Sequence, residues 1–222
     1  MDNKRSTVAI SIQALQRLPV YLKYLKSLPK EGVVNISSTL IAEALDLNDV
    51  QVRKDLALIS SGGRPKVGYI LENLIFDIEQ FLGYDDSNSA VLVGAGNLGR
   101  ALLSYNGFTE FGLDIVAAFD VDKDLIGTTV NGKPVLSAEK LLDLCSRMKV
   151  RIGIITVPDH DAQAVCDKLV EGGILAILNF AHVRLKVPNH VLVQNENLAC
   201  SLAILSKHLQ EQLFQPDKEG RI

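Results

Sequence analysis

Three glycines, Gly94, Gly96 and Gly99, stand at the spacing G-x-G-x-x-G and could hold the phosphates of a nucleotide. The apolar run 90–93 before them predicts a strand, and the residues after them predict a helix whose N-terminal N–H groups attract phosphate. Asp120 follows about 20 residues later, after a second apolar run, where a carboxylate can accept hydrogen bonds from an adenosine ribose. The pattern therefore predicts a dinucleotide site. The alternative is a glycine-rich turn without a ligand.

The second half of the chain alternates between strand-like and helix-like segments. Strands are predicted at 90–93, 115–119, 151–157, 174–178 and 191–193, and helices at 97–105, 138–148 and 159–170. This alternation predicts an α/β fold with a Rossmann-like, doubly wound parallel sheet, in which ligands bind at the carboxyl ends of the strands. Residues at two further strand ends are therefore candidate cofactor contacts, namely Thr156, Val157, Pro158, Asn179 and Phe180.

The first half contains two short helical segments, 40–45 and 50–59, joined by a tight turn. Ser37 and Ser38 precede the first helix, and Asn48 precedes the second. Side chains of these types favour helix N-termini because their oxygens accept backbone N–H bonds. Two capped helices in this order are typical of a helix-turn-helix.

Polar and basic side chains occupy the second of these helices and the loop behind it. The segment 60–69 is glycine-rich and basic, which is typical of the wing of a winged helix. Polar and basic side chains on a recognition helix and a wing contact base edges and phosphates of DNA. The alternative is that these residues are solvated charges on the surface of a small helical domain. The candidate DNA contacts are Gln51, Arg53, Lys54, Arg64 and Lys66.

Composition and charge limit the class of protein. The 222 residues are 47% hydrophobic and 22% charged, as in an ordinary globular protein, and the formal net charge is −3. Residues 1–70 carry ten Lys and Arg against six Asp and Glu, whereas residues 71–222 carry 13 against 20, which favours polyanion contact at the N-terminal end. The sequence has no run of 18 apolar residues and no apolar signal core, so we expect a cytoplasmic protein without membrane contact.

Cysteine and histidine do not follow a metal-ligand pattern. The cysteines are widely spaced, and we expect them to be small buried hydrophobic side chains. A disulfide or a thiol sensor is the alternative. The three residues are Cys145, Cys166 and Cys200. The four histidines also show no ligand spacing, so no metal is expected: His160, His182, His190 and His208.

Three segments follow from these patterns. They are a winged-helix DNA-binding domain at 1–84, a Rossmann dinucleotide-binding domain at 85–196 and a C-terminal helix at 197–222. The last helix is apolar on much of its surface, and no strand follows it. It could fold back on its own domain or pack on a second subunit, and the second arrangement is favoured because helix-turn-helix proteins usually bind paired half-sites as dimers. Its leucines are Leu198, Leu202, Leu205, Leu209 and Leu213.

Seven stretches spread over nearly the whole chain carry a family resemblance, namely 17–22, 36–38, 51–56, 67–69, 93–99, 117–122 and 177–181. On these stretches the chain resembles the Rex family of bacterial redox-sensing repressors. The resemblance implies a winged helix, a Rossmann domain that binds NAD+ or NADH as an effector, and a homodimer whose C-terminal helices are exchanged. It also implies repression of fermentation and anaerobic respiration genes, with operator DNA released when NADH replaces NAD+.

The resemblance also implies roles for individual residues. The pyrophosphate is held by Gly94, Ala95, Gly96, Asn97, Leu98 and Gly99, and the ribose by Asp120, with Val121, Asp122 and Tyr105 as further cofactor contacts. DNA contact falls to Arg53 and Lys54, and the matching stretches add Ser37, Ser38, Gly68 and Tyr69.

Three differences from the family pattern bear on function. The segment 57–63 lacks the usual aromatic residue and Pro65 interrupts the wing, and His182 stands where proline is common. The redox switch of the family is thought to link a tyrosine, a basic residue on the first helix and an aspartate before the last helix. The matching positions are Tyr105, Lys23 and Asn197. Asn197 lacks the charge of the aspartate, and the lysine lacks the bidentate fork of an arginine.

The sequence thus predicts a transcriptional repressor that binds double-stranded operator DNA and NAD(H), acts as a homodimer and is not an enzyme. One alternative is a paralogue that binds both ligands with weakened or absent redox switching. The other is an NAD-dependent oxidoreductase with an accessory N-terminal domain.

Overall fold

The computed structural model describes residues 10–29, 34–83, 88–110 and 112–214. The chain divides into two units, Met1–Ser87 and Asn88–Ile222. Within the described residues, no helix is both long and apolar enough to cross a bilayer.

The first unit is a four-helix arrangement with a small antiparallel sheet. Its elements are α1 (Ile12–Ser27), β1 (Asn35–Ile36), α2 (Ser38–Ala44), α3 (Asp49–Ile59), β2 (Tyr69–Ile70) and α4 (Leu71–Leu82). Helix α1 is continuous through Pro19. The core of the unit is formed by apolar side chains that these elements share, among them Leu18, Leu22, Leu25, Ile41, Val52, Leu56, Leu74 and Ile78.

Side-chain caps start the two helices of the predicted helix-turn-helix. The Oγ of Ser37 accepts the N–H of Leu40 at 3.1 Å, and the Oδ1 of Asn48 accepts the N–H of Gln51 at 3.1 Å. Each cap satisfies a backbone donor that has no partner inside the helix. The helix-turn-helix prediction is confirmed.

The second unit contains a seven-stranded sheet with helices between its strands. Its elements are β3 (Asn88–Val93), α5 (Asn97–Leu103), α6 (Gly107–Glu110), β4 (Leu113–Asp120), β5 (Thr129–Val130), β6 (Lys133–Ser137), a 3-10 turn (Ala138–Lys140), α7 (Leu141–Met148), β7 (Ile152–Ile155), α8 (Asp159–Glu171), β8 (Ala176–Asn179), β9 (Leu192–Asn195) and α9 (Leu198–Phe214). The predicted strands and helices did not include β5, β6 or α6.

The strand order is β5-β6-β4-β3-β7-β8-β9, and only the β5–β6 pair is antiparallel. From β6 to β9 this is the doubly wound order of a Rossmann fold, so the predicted fold class is confirmed. The chain reverses its direction of winding between β3 and β7, whose ends Val93 and Ile155 are paired. Ligands bind in such sheets at the crevice beside this reversal.

Candidate functional site

The glycine loop lies at the carboxyl end of β3, between Val93 and the first residue of α5. Gly94 has a φ of +102°, and a Cβ at this position would lie 2.8 Å from the backbone carbonyl of Thr156. At Gly99 a Cβ would lie 1.9 Å from the carbonyl oxygen of Gly94. Both glycines are therefore required by the close approach of the chain to itself.

Gly96 differs from its two neighbours in the motif. A Cβ there would meet no protein atom within 4 Å, and its φ of −67° is open to any residue. Packing within the chain therefore gives no reason for glycine at this position, whereas close approach of a pyrophosphate does. Gly96 also caps α5 without a side-chain hydrogen bond, so the first turn of the helix, with Asn97 and Leu98, offers backbone N–H donors to an anion.

Asp120 lies at the end of β4, beside the glycine loop. Its carboxylate accepts the backbone N–H groups of Ala95 at 2.6 Å, Val121 at 2.7 Å and Asp122 at 2.9 Å. These bonds tie the loop after β4 to the loop after β3. The carboxylate thus holds the two turns together at the position where the motif requires a ribose acceptor.

A cavity of about 350 Å³ opens between these turns and the end of β7. The Oγ1 of Thr156 donates to the carbonyls of Val93 at 3.0 Å and Gly94 at 2.7 Å, which fixes the loop after β7 to the glycine loop. The cavity brings together many of the predicted cofactor contacts, namely Gly94, Gly96, Asp120, Val121, Thr156, Val157 and Pro158.

The residues on one side of this cavity were not predicted from the sequence. This side is formed by the start of α7 and by one face of α8, with Leu141, Asp161, Ala164, Val165 and Lys168. The residues from α8 recur at spacings of three and four, which is the available signal for a shared helix face. Which face points to the cavity depends on how α8 packs on the sheet.

Eight predicted cofactor contacts do not line this cavity, namely Ala95, Asn97, Leu98, Gly99, Asp122, Asn179, Phe180 and Tyr105. The first five lie in the glycine loop, in α5 or in the turn after β4, and the last three lie elsewhere in the unit. The side chain of Asn179 is fully buried, and its amide donates to the carbonyls of Ala181 and Val183, each at 3.1 Å, and to the Oδ1 of Asn195 at 2.9 Å. Asn179 therefore holds the loop after β8. Phe180 packs on the apolar core, and Tyr105 is exposed with its ring edge-on to a phenylalanine.

In the first unit, a groove of about 510 Å³ lies between the start of α2, helix α3 and the segment 60–69. It brings together most of the predicted DNA contacts, namely Ser37, Ser38, Arg53, Arg64, Lys66, Gly68 and Tyr69. The charged residues among its lining are all basic. A basic groove beside a helix N-terminus fits the phosphates of a duplex.

The segment 60–69 forms a tight antiparallel turn, as the wing prediction requires. Arg64 and Gly68 exchange two N–H to carbonyl hydrogen bonds of 2.9 Å, and Pro65 lies within the turn. Gly68 has a φ of +83°, and a Cβ there would lie 2.3 Å from the carbonyl oxygen of Ile36. The glycine therefore allows the wing to join β1.

The side chains of three predicted DNA contacts are buried, bonded within the protein or outside the groove. The ring of Tyr69 is 8% exposed and packs in the core, and burial raises the pKa of its hydroxyl. Its side chain therefore supports the wing. The amide of Gln51 donates to Asp55 at 2.8 Å, and Lys54 is exposed outside the groove.

Asp55 is the centre of a buried polar cluster that the sequence did not reveal. Its carboxylate, 2% exposed, accepts two guanidinium N–H bonds from Arg17 at 2.7 and 3.0 Å and the hydroxyl of Tyr21 at 2.9 Å. Burial alone raises the pKa of this carboxyl, but the hydrogen bonds from Arg17, Gln51 and Tyr21 outweigh it and hold the pKa below its usual value. The cluster joins α1 to α3.

None of the three cysteines forms a disulfide. Cys145 and Cys166 are buried, as predicted, and burial raises the pKa of each thiol to about 11. The prediction is wrong for Cys200, which is exposed on α9. Within the described residues no group of three or more His, Cys, Asp and Glu could hold a metal ion.

The positions of the predicted switch are on the surface of their units. Lys23 is exposed on α1, and Tyr105 is 58% exposed. Asn197 caps α9, because its Oδ1 accepts the N–H of Cys200 at 2.9 Å. An uncharged side chain therefore fulfils the capping role that an aspartate would also fulfil.

Two family models match separate parts of the chain. The model "CoA binding domain" matches residues 85–183, and the model "Putative DNA-binding protein N-terminus" matches residues 9–57. Curated relatives match both parts together. The Redox-sensing transcriptional repressor Rex of Bacteroides thetaiotaomicron is 42% identical over 195 residues, which are 88% of this chain and 89% of the relative. The Rex protein of Desulfitobacterium hafniense is 44% identical over 200 residues, covering 90% of this chain and 95% of the relative.

Solved structures agree with these relatives. The crystal structure of RSP in complex with beta-NAD+ and operator DNA is 35% identical, covers 94% of this chain and 96% of that one, and superimposes with a TM-score of 0.84. RSP, a Rex-family repressor, in complex with beta-NADH covers 94% of this chain and 98% of that one with a TM-score of 0.77. The chain belongs to the Rex family of redox-sensing transcriptional repressors.

Proposed function

We propose that this chain is a transcriptional repressor that binds operator DNA through its first unit and NAD(H) through its second. The observation that carries the proposal is the presence, in one chain, of the basic groove and of a glycine cradle with open space above Gly96. Its relative RSP was solved with NAD+ and operator DNA together, which supports the same pairing here. The dinucleotide is an effector whose redox state is the signal.

The residues of the cavity fit a dinucleotide. Gly96 and the first turn of α5 would hold the pyrophosphate, and Asp120 would accept the ribose hydroxyls. Val121, Val157 and Val165 supply apolar surface for the adenine. Asn179 acts on this site by holding the neighbouring loop.

Regulation requires two states of the protein that differ in DNA affinity. NADH must bind the released state more tightly than NAD+ does, and about 5.5 kcal/mol of differential affinity moves an equilibrium from 1:99 to 99:1. This chain carries Asn197 where the family pattern has an aspartate. We therefore expect a smaller redox response than a charged residue at this position would give.

An operator titration tests this function. The probe is a duplex selected from a random pool by the wild-type chain, and its affinity is measured at fixed salt with saturating NAD+ and with saturating NADH. We expect weaker binding with NADH, and we expect Asn197→Asp to widen the ratio because it restores a charge and keeps the helix cap. If NAD+ and NADH give the same operator affinity, both in the wild type and in Asn197→Asp, redox sensing is excluded. That result would favour a constitutive DNA-binding paralogue.

We further propose a homodimer in which α9 packs on a second copy. Every described side chain from Leu198 to Leu213 is exposed, although leucines recur along the helix at spacings of three and four. An isolated apolar helix without a partner is marginal in water, so its stability requires a covering surface.

Light scattering and sedimentation test the dimer. Leu205→Lys is expected to shift the protein towards the monomer, because it places a charge in the leucine stripe. Gln210→Lys adds the same charge outside that stripe and is expected to leave the dimer intact. A dimer that survives Leu205→Lys as well as Gln210→Lys would argue against this interface.

A further inference from the structure

The first residue of α3, Asp49, is acidic and contacts residues that line the basic groove. The Oδ1 of Asp49 accepts the hydroxyls of Ser38 at 3.3 Å and Thr39 at 3.2 Å. Its Oδ2 accepts the guanidinium of Arg53, one turn further along α3. One carboxylate therefore engages three donors that come from two different helices.

These three donors are also lining residues of the groove. Ser38, Thr39 and Arg53 stand there together with Arg64 and Lys66. Hydroxyl and guanidinium groups are the donors with which proteins bind phosphate oxygens of DNA. The carboxylate of Asp49 thus occupies, within the protein, the donors that a duplex phosphate would use.

The ion pair is accessible to a ligand. The side chain of Arg53 is 60% exposed and that of Asp49 is 34% exposed. An exposed pair of this kind is weak, so DNA can rearrange it at low cost. Before DNA rearranges the pair, the bond to Asp49 holds the guanidinium of Arg53 along α3. The guanidinium is then not available to a phosphate at another position.

We propose that Asp49 is a specificity-determining residue of the DNA interface, acting as an internal anion that opposes binding driven by phosphates alone. The inference rests on the proposed DNA-binding function. A duplex without the operator sequence offers only phosphates, and these must compete with Asp49 for Ser38, Thr39 and Arg53. An operator also offers base contacts, for which an Arg53 oriented by Asp49 is already in place.

The test compares Asp49→Asn with Asp46→Asn. Asp46 lies in the turn between α2 and α3, and no side-chain hydrogen bond of this residue is seen within the described part of the chain. Its φ of +52° suits asparagine, so the control removes the same charge from the same motif without strain. The cap of α3 by Asn48 is untouched in both variants, and thermal unfolding checks that both are folded.

Binding is measured over a salt series, with the selected operator and with a scrambled duplex of equal length. For Asp49→Asn we expect roughly 2- to 5-fold tighter binding of the scrambled duplex, as the loss of an exposed ion pair implies. We also expect a salt slope steeper by about 0.9, which corresponds to one additional phosphate contact. The affinity for the operator changes less, so the specificity ratio falls. Asp46→Asn is expected to leave this ratio and the slope near their wild-type values.

Other binding results would contradict the proposed role of Asp49. If the scrambled duplex binds Asp49→Asn no more tightly than the wild type, the proposal is overturned. An equal gain on operator and scrambled duplex, or an equal effect of Asp46→Asn, reduces Asp49 to a general charge effect and also overturns it. A wild type that binds no DNA refutes the proposed function itself, and the role of Asp49 falls with it.

Discussion

Replacing Gly96 by alanine is expected to weaken dinucleotide binding by about 100-fold while leaving the fold intact. A methyl group there meets no protein atom within 4 Å, but it occupies the space through which a pyrophosphate must approach the loop. The backbone at this position is extended, so alanine causes no strain, and the loss of a preferred cap costs less than about 1 kcal/mol. Isothermal titration with NAD+ and NADH, together with thermal unfolding, measures both quantities.

Gly99→Ala is the matched comparison within the same motif. Its Cβ would lie 1.9 Å from the carbonyl oxygen of Gly94, so the loop and α5 must move apart. Overpacking of this kind costs about 3 kcal/mol, and we expect both the stability of the second unit and dinucleotide binding to fall. Wild-type affinity in Gly96→Ala would show that no ligand approaches the loop here, and would refute the dinucleotide site.

Removing the carboxylate of Asp55 is expected to destabilise the first unit strongly. Asp55→Ala leaves the guanidinium of Arg17 and the fully buried Tyr21 without their common acceptor. Breaking a buried charge pair in this way costs about 3–5 kcal/mol. Chemical denaturation measures the loss, and because the cluster holds α3 against α1, DNA affinity is expected to fall with it.

The control is a surface ion pair of the same unit. Lys26 and Glu79 are 2.6 Å apart, with side chains 46% and 26% exposed. Glu79→Ala is expected to cost less than about 1 kcal/mol, since exposed pairs are screened by water. Similar losses for Asp55→Ala and Glu79→Ala would contradict a special role of the buried cluster.

The pH dependence of unfolding gives a second measure of the same cluster. The lowered pKa of Asp55 means that its contribution to stability is present above the pKa of the unfolded chain and is lost as the pH falls through the folded value. Burial, followed by the hydrogen bond to Asp55, raises the pKa of Tyr21 to about 12. Its contribution is therefore lost as the pH rises towards 12, and Tyr21→Phe should remove this alkaline step.

Much of the fold and part of the sites could be predicted because the signals are local. Caps such as Ser37 and Asn48 bind donors three residues away, so the sequence alone predicts where α2 and α3 begin. The spacing of the glycine motif likewise depends on a single strand–turn–helix connection. Asp120 was predicted from its distance to that motif, and its carboxylate does reach the loop at Ala95.

The remaining features depend on residues that are distant in the sequence. Gly68 and Tyr69 line the basic groove, but packing against β1 also places most of Tyr69 in the core and the glycine against Ile36. Asn179 is at a strand end, as expected, but its partner Asn195 comes from β9, a different strand of the sheet. No local pattern distinguishes a polar side chain that binds a ligand from one that holds a loop.

The order of residue types along the chain was therefore enough to predict two parts, the Rossmann class, the helix-turn-helix and the family, because each of these rests on patterns that do not depend on which distant segments pack together. Only the tertiary structure decided which of the three glycines the chain needs for its own packing and which one, Gly96, faces open space. It also paired Arg17 with Asp55 and set Asp49 among the donors of the basic groove. These outcomes depend on side chains that approach each other only when separate helices pack, and a linear spacing rule carries no information about that approach.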